Sequence, residues 1–349
     1  MSRYAPIGLD WSGPIAAAVQ LRRARRGPRL HAALRLPVGP PETAPAITDL
    51  HRVLWRHGFE GSDVVLTLPT KGTASTISGA LSLPPRSCGA PIDQLARAEM
   101  ARVAGRPADA LELEMWDIPA PRRAAAGCHV LAVAATGAEV AARVALFEDA
   151  GLCVAAADAR ASALCRATES LRAPGPDLTI VLELAWDAAH LVAATGDAPV
   201  FERRIDELGI GAHAASILGV SDERALERRL SGAAAPGEHD RRAAPESAAK
   251  VRRLFDALRA GVRDEIGLSA SYLAHQFDRR IARVVLAAPP PFLDELGAPA
   301  SIECLRAGNW GSLSIDTTGA PDRAPAPGAV LAALGASLHP CLARGKAAA

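Results

Sequence analysis

The chain opens with three short apolar blocks. Ile7 to Leu9 stops at Asp10, Gly13-Pro14 turns the chain, and Ile15 to Leu21 and Leu30 to Leu36 follow, which predicts a strand, a hairpin and a third strand. Leu50, Val53, Leu54 and His57 recur at helical spacing within a helix predicted over 47–57, and Asp63 to Leu68 reads as a strand closed by Pro69. The proline-rich stretch 82–91 reads as a linker. A helix over 92–104 follows, then strands over 111–118 and 129–134, an amphipathic helix over 139–150, a strand over 154–158 and a helix over 161–171.

Ala173-Pro-Gly-Pro176 divides the chain, and the opening pattern then recurs. Strands are predicted over 178–184, 189–194 and 200–205, with breaks at Trp186-Asp187 and Gly196-Asp197. A strand–turn–strand–turn–strand opening that appears twice predicts a duplicated architecture. Residues 232–247 read as a flexible connection or a frayed helix end. Val251, Leu254, Leu258, Val262, Ile266, Leu268, Leu273 and Phe277 follow the period of a long helix; a buried strand over 281–287 and a terminal helix over 329–342 complete the set.

Composition narrows the function classes. A chain of 349 residues suits two or more units of domain size, and 49% apolar with 22% charged residues is globular. With 39 basic against 38 acidic residues there is no excess positive charge to drive nucleic-acid binding. The local runs Arg22, Arg23, Arg25, Arg26 and Arg279, Arg280, Arg283 read as solvated faces. Only three lysines occur (Lys71, Lys250, Lys346), a bias towards arginine that lowers the weight given to any one arginine. The six scattered cysteines contain no Cys-x-x-Cys pair, and the nine histidines no zinc spacing. No segment approaches the apolar length of a membrane span, and the N-terminus lacks a signal peptide's core, so a reduced cytoplasmic setting is expected.

The candidate chemistry sits where each half opens. A strand ending in a carboxylate, followed by a glycine turn, can hold phosphate on backbone N–H groups while the acid takes Mg²⁺ or its water. Asp10-Trp-Ser-Gly13 is this arrangement in the first half, and Glu183-Leu-Ala-Trp-Asp187 stands in the same place in the second. A third stretch, Leu286-Ala-Ala-Pro-Pro-Pro291, follows a late strand. Each acid also has a purely structural reading: Asp10 as a turn cap, and Glu183, in an apolar strand, as the partner of a buried arginine such as Arg203 or Arg204. Glu99 reads as a surface pair, Trp11 and Trp186 as packing residues that could fill a vacant site, and His190 and His213 as ordinary strand and helix residues. Ser12 has no base at informative spacing and is not a nucleophile.

The ordered set resembles the actin-like ATPase superfamily and, within it, the PilM family of type IV pilus assembly proteins. It rests on Ile7-Gly-Leu-Asp10-Trp-Ser-Gly13, Val64-Val-Leu-Thr-Leu-Pro69, the helix 94–107 with Glu99, Glu148-Asp-Ala-Gly-Leu152 through Asp158-Ala-Arg-Ala-Ser-Ala-Leu-Cys-Arg-Ala167, Leu258 to Tyr272, Arg283 to Ala288 and Leu334-Gly335. It implies an α/β chain with a duplicated actin-like (ribonuclease H-like) two-lobed fold. The first lobe would be 1–174 with a small inserted α/β subdomain at about 84–149, and the second 175–349 with a helical or loop insertion at about 208–280. The implied nucleotide contacts are Asp10, Ser12, Gly13, Glu183, Ala185, Ala287 and Ala288, with Asp10 on Mg²⁺ if ATP binds.

The departures from the family pattern fall on those contacts. Ser12 stands at a family glycine, Ala17 at the family lysine, Glu183-Leu-Ala185 at an Asp-x-Gly, and Ala287-Ala288 at a Gly-Gly. Lost glycines remove backbone freedom and space beside a ligand, and the lost lysine removes a positive partner for phosphate. The expectation is therefore a non-enzymatic scaffold whose Mg-ATP binding is weak or lost. It would sit at the cytoplasmic face of the inner membrane through its partners, with no direct membrane insertion. The implied partners are the N-terminal cytoplasmic peptide of a PilN-like single-span membrane protein, held in a groove beside the inserted subdomain, and a pilus motor ATPase; no nucleic acid is implied. The alternative is an active actin-like phosphotransferase such as a sugar kinase. A type II secretion protein L or FtsA relative would carry a membrane span or an amphipathic terminal helix, neither of which the tail 341–349 supplies.

Overall fold

The computed structural model describes residues 3–11, 14–25, 27–37, 39, 45–124, 126–196, 198–234, 244–289, 292, 304–306, 310–317, 325 and 327–340. Two five-stranded sheets share one topology. In the first, β1 (Ile7–Asp10), β2 (Ile15–Ala24) and β3 (Gly27–Pro37) form an antiparallel meander, and β4 (Asp63–Thr67) and β8 (Cys153–Asp158) add parallel strands on the other side of β1, in the order β3-β2-β1-β4-β8. The second repeats this with β9 (Leu178–Leu184), β10 (Ala189–Thr195), β11 (Ala198–Ile205), β12 (Ile281–Ala287) and β13 (Cys304–Arg306), in the order β11-β10-β9-β12-β13. The duplication inferred from the recurring pattern is therefore a duplication of topology.

The central strands are buried from end to end, which is why they read as continuous apolar runs. All seven residues of β9 are buried, and all four of β1. A third sheet, β5 (Ile77–Leu83), β7 (Cys128–Thr136) and β6 (Leu111–Asp117), carries α2 (Ile92–Ala104) on one face. This unit is offset from the expected 84–149. It takes in β5, hidden from the sequence reading by the prolines that follow it. It releases the chain at Thr136, since α3 (Gly137–Asp149) packs Phe147 against Trp11 in the first lobe instead.

The remaining helices fill the layers around the sheets, beginning with α1 (Leu50–Arg56), whose Leu50 and Leu54 enter the first core. After β8 comes α4 (Arg160–Ala167), and after β11 come α5 (Ile210–Leu218) and α6 (Glu223–Ala234), neither legible in the sequence. The long helix is α7 (Ala244–Phe277), with Leu254, Leu258, Val262, Ile266, Leu273 and Phe277 in the second core. Leu268, expected among them, is 60% exposed, because two residues beyond Ile266 the helix has turned away from the core. The expected connection at 232–247 lies partly outside the described residues, which resume at the start of α7. No described helix is long and apolar enough to cross a membrane.

The last described helix, α8 (Leu331–Ser337), is buried at every position and packs into the first lobe, between β1 and α4. The approach is possible because two glycines present bare backbone. A Cβ on Gly8 would lie 1.9 Å from the Ala333 carbonyl oxygen, and one on Gly335 1.7 Å from that of Ala163. Ser337 Oγ donates to the Pro6 carbonyl at 2.9 Å and fixes the helix end.

Gly335→Ala is therefore expected to cost at least about 3 kcal/mol, since backbone must move on both sides. Gly267→Ala, in α7 with open space around it, should instead stabilise by up to about 1 kcal/mol. Urea unfolding of the two variants beside the parent checks both signs.

Candidate functional site

In an open α/β sheet, ligands collect outside the carboxyl ends of strands, where the strand direction reverses. Here β1 and β9 each have an antiparallel neighbour on one side and a parallel one on the other. Their acids occupy matching registers: Asp10 pairs with Thr67, the last residue of β4, and Glu183 with Ala287, the last of β12. The two carboxylates face each other across the lobes, and Arg160 lies between them. Its Nη1 donates to Asp10 Oδ1 at 3.0 Å, its Nε to Glu183 Oε2 at 2.9 Å, and its Nη2 lies 2.8 Å from the same oxygen.

Arg160 is the first residue of α4, a helix with seven of its eight residues buried. Its side chain is 4% exposed, and those of Asp10 and Glu183 are 12% and 6% exposed. Burial alone would drive the charge off the guanidinium, but the Asp10, Glu183 and Asp187 carboxylates outweigh it and hold Arg160 protonated. Burial likewise pushes the Glu183 carboxyl up, with Arg160 opposing. His190, opposite Glu183 on β10, is held neutral by burial and by Arg160 and Arg204. Arg203 and Arg204, the sequence candidates for pairing with Glu183, are engaged elsewhere: Arg203 reaches Glu265 at 2.6 Å, and Arg204 reaches Asp187 at 3.1 Å and Asp206 at 2.7 Å.

Two of the other predicted positions line the same cleft. Ala17 sits opposite Asp10 on β2 and lines the cleft. Ala185 lines it too, but its N–H is taken by the Ala188 carbonyl at 3.0 Å. The first N–H groups of α5, where a phosphate would be expected, point into the same loop: Ile210 donates to the Ala185 carbonyl at 3.1 Å and Gly211 to that of Trp186 at 2.8 Å. Ala287 and Ala288 are fully buried at the end of β12. Ser12 and Gly13 lie outside the described residues. Trp186 flanks the cleft and packs on Gly211, whereas Trp11 turns into the first-lobe core and donates from Nε1 to the Gly39 carbonyl at 2.6 Å. Glu99 pairs with Arg102 on the surface of α2 at 3.0 Å, as its structural reading had it.

Further ion pairs cross between the two halves of the chain, among them Arg29–Asp316 at 2.9 Å and Arg122–Asp278 at 3.7 Å. Arg35 on β3 forms a two-pronged bridge to Glu223 on α6, both contacts at 2.5 Å, with side chains only 13% and 9% exposed. Lys71 reaches Asp206 at 2.9 Å on the open surface, where such a pair adds little. The space left in the cleft is about 50 Å³, room for a few waters but far below the roughly 300 Å³ or more of a small-molecule site.

A larger concavity, about 560 Å³, runs between the third sheet and the first lobe. Glu112, Glu114 and Trp116 of β6 form one wall, Ala157 at the end of β8 another, and Asp158, Ser162 and Arg166 lie beneath. Asp158 hydrogen-bonds to Arg166. Burial pushes the Asp158 carboxyl up to about 6, with Arg166 opposing.

No protein-family model matches the chain, and neither does any curated protein sequence. Solved structures do. The chain superimposes on a chain of a PilM–PilN type IV pilus biogenesis complex with a TM-score of 0.66 at 19% identity, over 97% of this chain and 98% of that one. It also matches the ethanolamine utilization protein EutJ from Carboxydothermus hydrogenoformans (TM-score 0.48, 11% identity, 97% and 90% covered). A third match is the cytoplasmic domain of EpsL, an inner-membrane component of the Vibrio cholerae type II secretion system (TM-score 0.44, 12% identity, 88% and 91% covered). The first of these likenesses and the repeated sheet order together show the duplicated actin-like α/β fold.

Removing one member of the buried cluster leaves uncompensated charge, so Arg160→Met should cost about 3–5 kcal/mol. The triple change D10N/R160M/E183Q removes all three charges and should recover most of that loss; urea unfolding of the three proteins tests the cycle. Asp158 gives a separate pH signature. Its folded value of about 6 lies above the ordinary 3.8, so the folded state binds the extra proton, and stability falls as pH rises through that window. From pH 5 to 7 the loss should be about 1 kcal/mol, and Asp158→Asn should abolish it. Unfolding midpoints across that range decide it.

Proposed function

We propose that this chain is a nucleotide-independent scaffold of the PilM type, an assembly part of a type IV pilus or related secretion platform and not an enzyme. The observation that carries this reading is the Arg160 guanidinium held between Asp10 and Glu183. In a working actin-like site those two positions face the metal and the phosphates of the nucleotide. Here a side chain supplies the positive charge permanently, at hydrogen-bonding distance from both acids. A metal–triphosphate group does not fit the residues present. It would have to displace a buried, fully paired cation, no lysine reaches the cleft from position 17, and only about 50 Å³ is open.

What nucleotide does elsewhere, drawing two lobes together, is done here by fixed charge: Arg160 bridges the lobes from within and Arg35–Glu223 from the rim. A permanently closed body suits a part that presents a surface to others. The groove beside the third sheet is the surface we assign to the partner, the cytoplasmic N-terminal tail of a PilN-like single-span membrane protein. Through it the scaffold would sit at the inner face of the inner membrane, within reach of a pilus motor ATPase.

Calorimetric titration of the purified protein with Mg-ATP, with Asp10→Ala as control, tests the reading. We expect no heat and no rise in melting midpoint at millimolar nucleotide. Micromolar binding that Asp10→Ala removes would overturn nucleotide independence and favour the phosphotransferase alternative.

A further inference from the structure

The groove between the third sheet and the first lobe lies between two strand edges. Among the described residues β6 pairs only with β7, and β8 only with β4, so each ends its sheet. Edge strands that face a concavity can accept an extended segment as an added strand, with backbone hydrogen bonds giving affinity and alternate side chains giving selectivity. Strand alternation puts Glu112, Glu114 and Trp116 on one face of β6 and Leu111, Leu113 and Met115 on the other. The second set packs towards α2, which leaves the first for the groove.

The groove is acidic where it is open. Glu112 and Glu114 are exposed, and neither has an ion-pair partner among the described residues. Asp158 adds a third carboxyl at the floor, against the single guanidinium of Arg166. Apolar surface continues beside them, from Trp116 to Val133 and Ala135. The floor also holds an unsatisfied group: Ser162, 6% exposed and lining the groove, has its Oγ buried without a hydrogen-bond partner. A buried hydroxyl left unpaired is costly.

We infer that the groove selects an extended cationic segment, which adds a strand along β6 with basic side chains at alternate positions over Glu112 and Glu114 and an apolar side chain on Trp116. This rests on the groove being the partner site of the scaffold reading and deepens it by naming the chemistry of the partner. The spacing follows from the pleat: residues two apart on an added strand share a face, as Glu112 and Glu114 do. Like charges placed directly opposite one another across two strands repel, so an acidic segment is excluded in the same way that a basic one is drawn in.

The test is selection of a displayed library of random twelve-residue peptides on the full immobilised chain, followed by titration of the enriched peptides. Two comparison proteins are used, E112K/E114K and Ala157→Trp. The altered positions are exposed, and retention of the parent melting midpoint confirms that each protein folds. Enriched peptides should carry Lys or Arg two residues apart beside an apolar residue. They should weaken by at least about tenfold on E112K/E114K and lose binding on Ala157→Trp, whose ring blocks the groove. Peptides lost on Ala157→Trp but without basic enrichment, or indifferent to E112K/E114K, would overturn the charge selection and leave the groove as the docking site. Peptides that bind Ala157→Trp as well as the parent, or no enrichment at all, would overturn the groove itself and with it this inference.

Discussion

A guanidinium buried between two carboxylates from two different sheets is the constraint on which the rest of this molecule turns. Arg160 can occupy that position only because α4 starts directly beneath the carboxyl ends of β1 and β9, and because the acids arrive there in equivalent registers. Desolvating three ionisable groups is expensive, and their mutual attraction repays it only while the hydrogen bonds hold. The cluster therefore holds the two lobes close together, with about 50 Å³ of open space left beside it. Geometry, charge and function are tied by the same few ångströms.

The neighbouring elements are arranged to keep it so. The fully buried α8 wedges against α4 through the bare backbone of Gly335, so the helix that carries Arg160 has little freedom to shift. The loop after Glu183 saturates its own carbonyls with the first amides of α5, which are thereby unavailable to an anion. Arg35 and Glu223 close the rim with a bidentate pair that is mostly sheltered from water, the geometry in which such a pair contributes most. The buried charge cluster is in this way shut off from solvent, while the accessible concavity lies to the side, along two strand edges that are unpaired among the described residues.

Much of this was legible in the chain. The apolar runs at 7–10, 64–67, 178–184 and 284–287 announced central strands because both faces are covered, and their repetition announced the duplication. Asp10 and Glu183 stood out as acids at the ends of apolar strands, and Ala17, Ala185, Ala287 and Ala288 as positions where a nucleotide site would want lysine or glycine. Other elements were hidden. β5 lies against a proline-rich stretch, and its Ser-Gly-Ala-Leu-Ser sequence carries weak strand propensity. One of the two readings of Glu183 paired it with a buried arginine, yet Arg203 and Arg204 were nearer in sequence, and an arginine-rich composition lowered the weight of every other.

The sequence by itself determined the central strands, the twofold repeat and the acids that close both opening strands, because burial on both faces and a polar residue ending an apolar run are local properties of the chain. Tertiary structure alone decided which cation answers the two acids. Arg160 lies 150 residues from Asp10 and 23 from Glu183, and no periodicity or spacing links them. Only the packing of α4 under both sheets brings the charges within hydrogen-bonding distance, and only the pairing of strands shows that β6 and β8 are edges. Contacts across sheets depend on how layers stack, a long-range outcome of folding that local pattern does not encode.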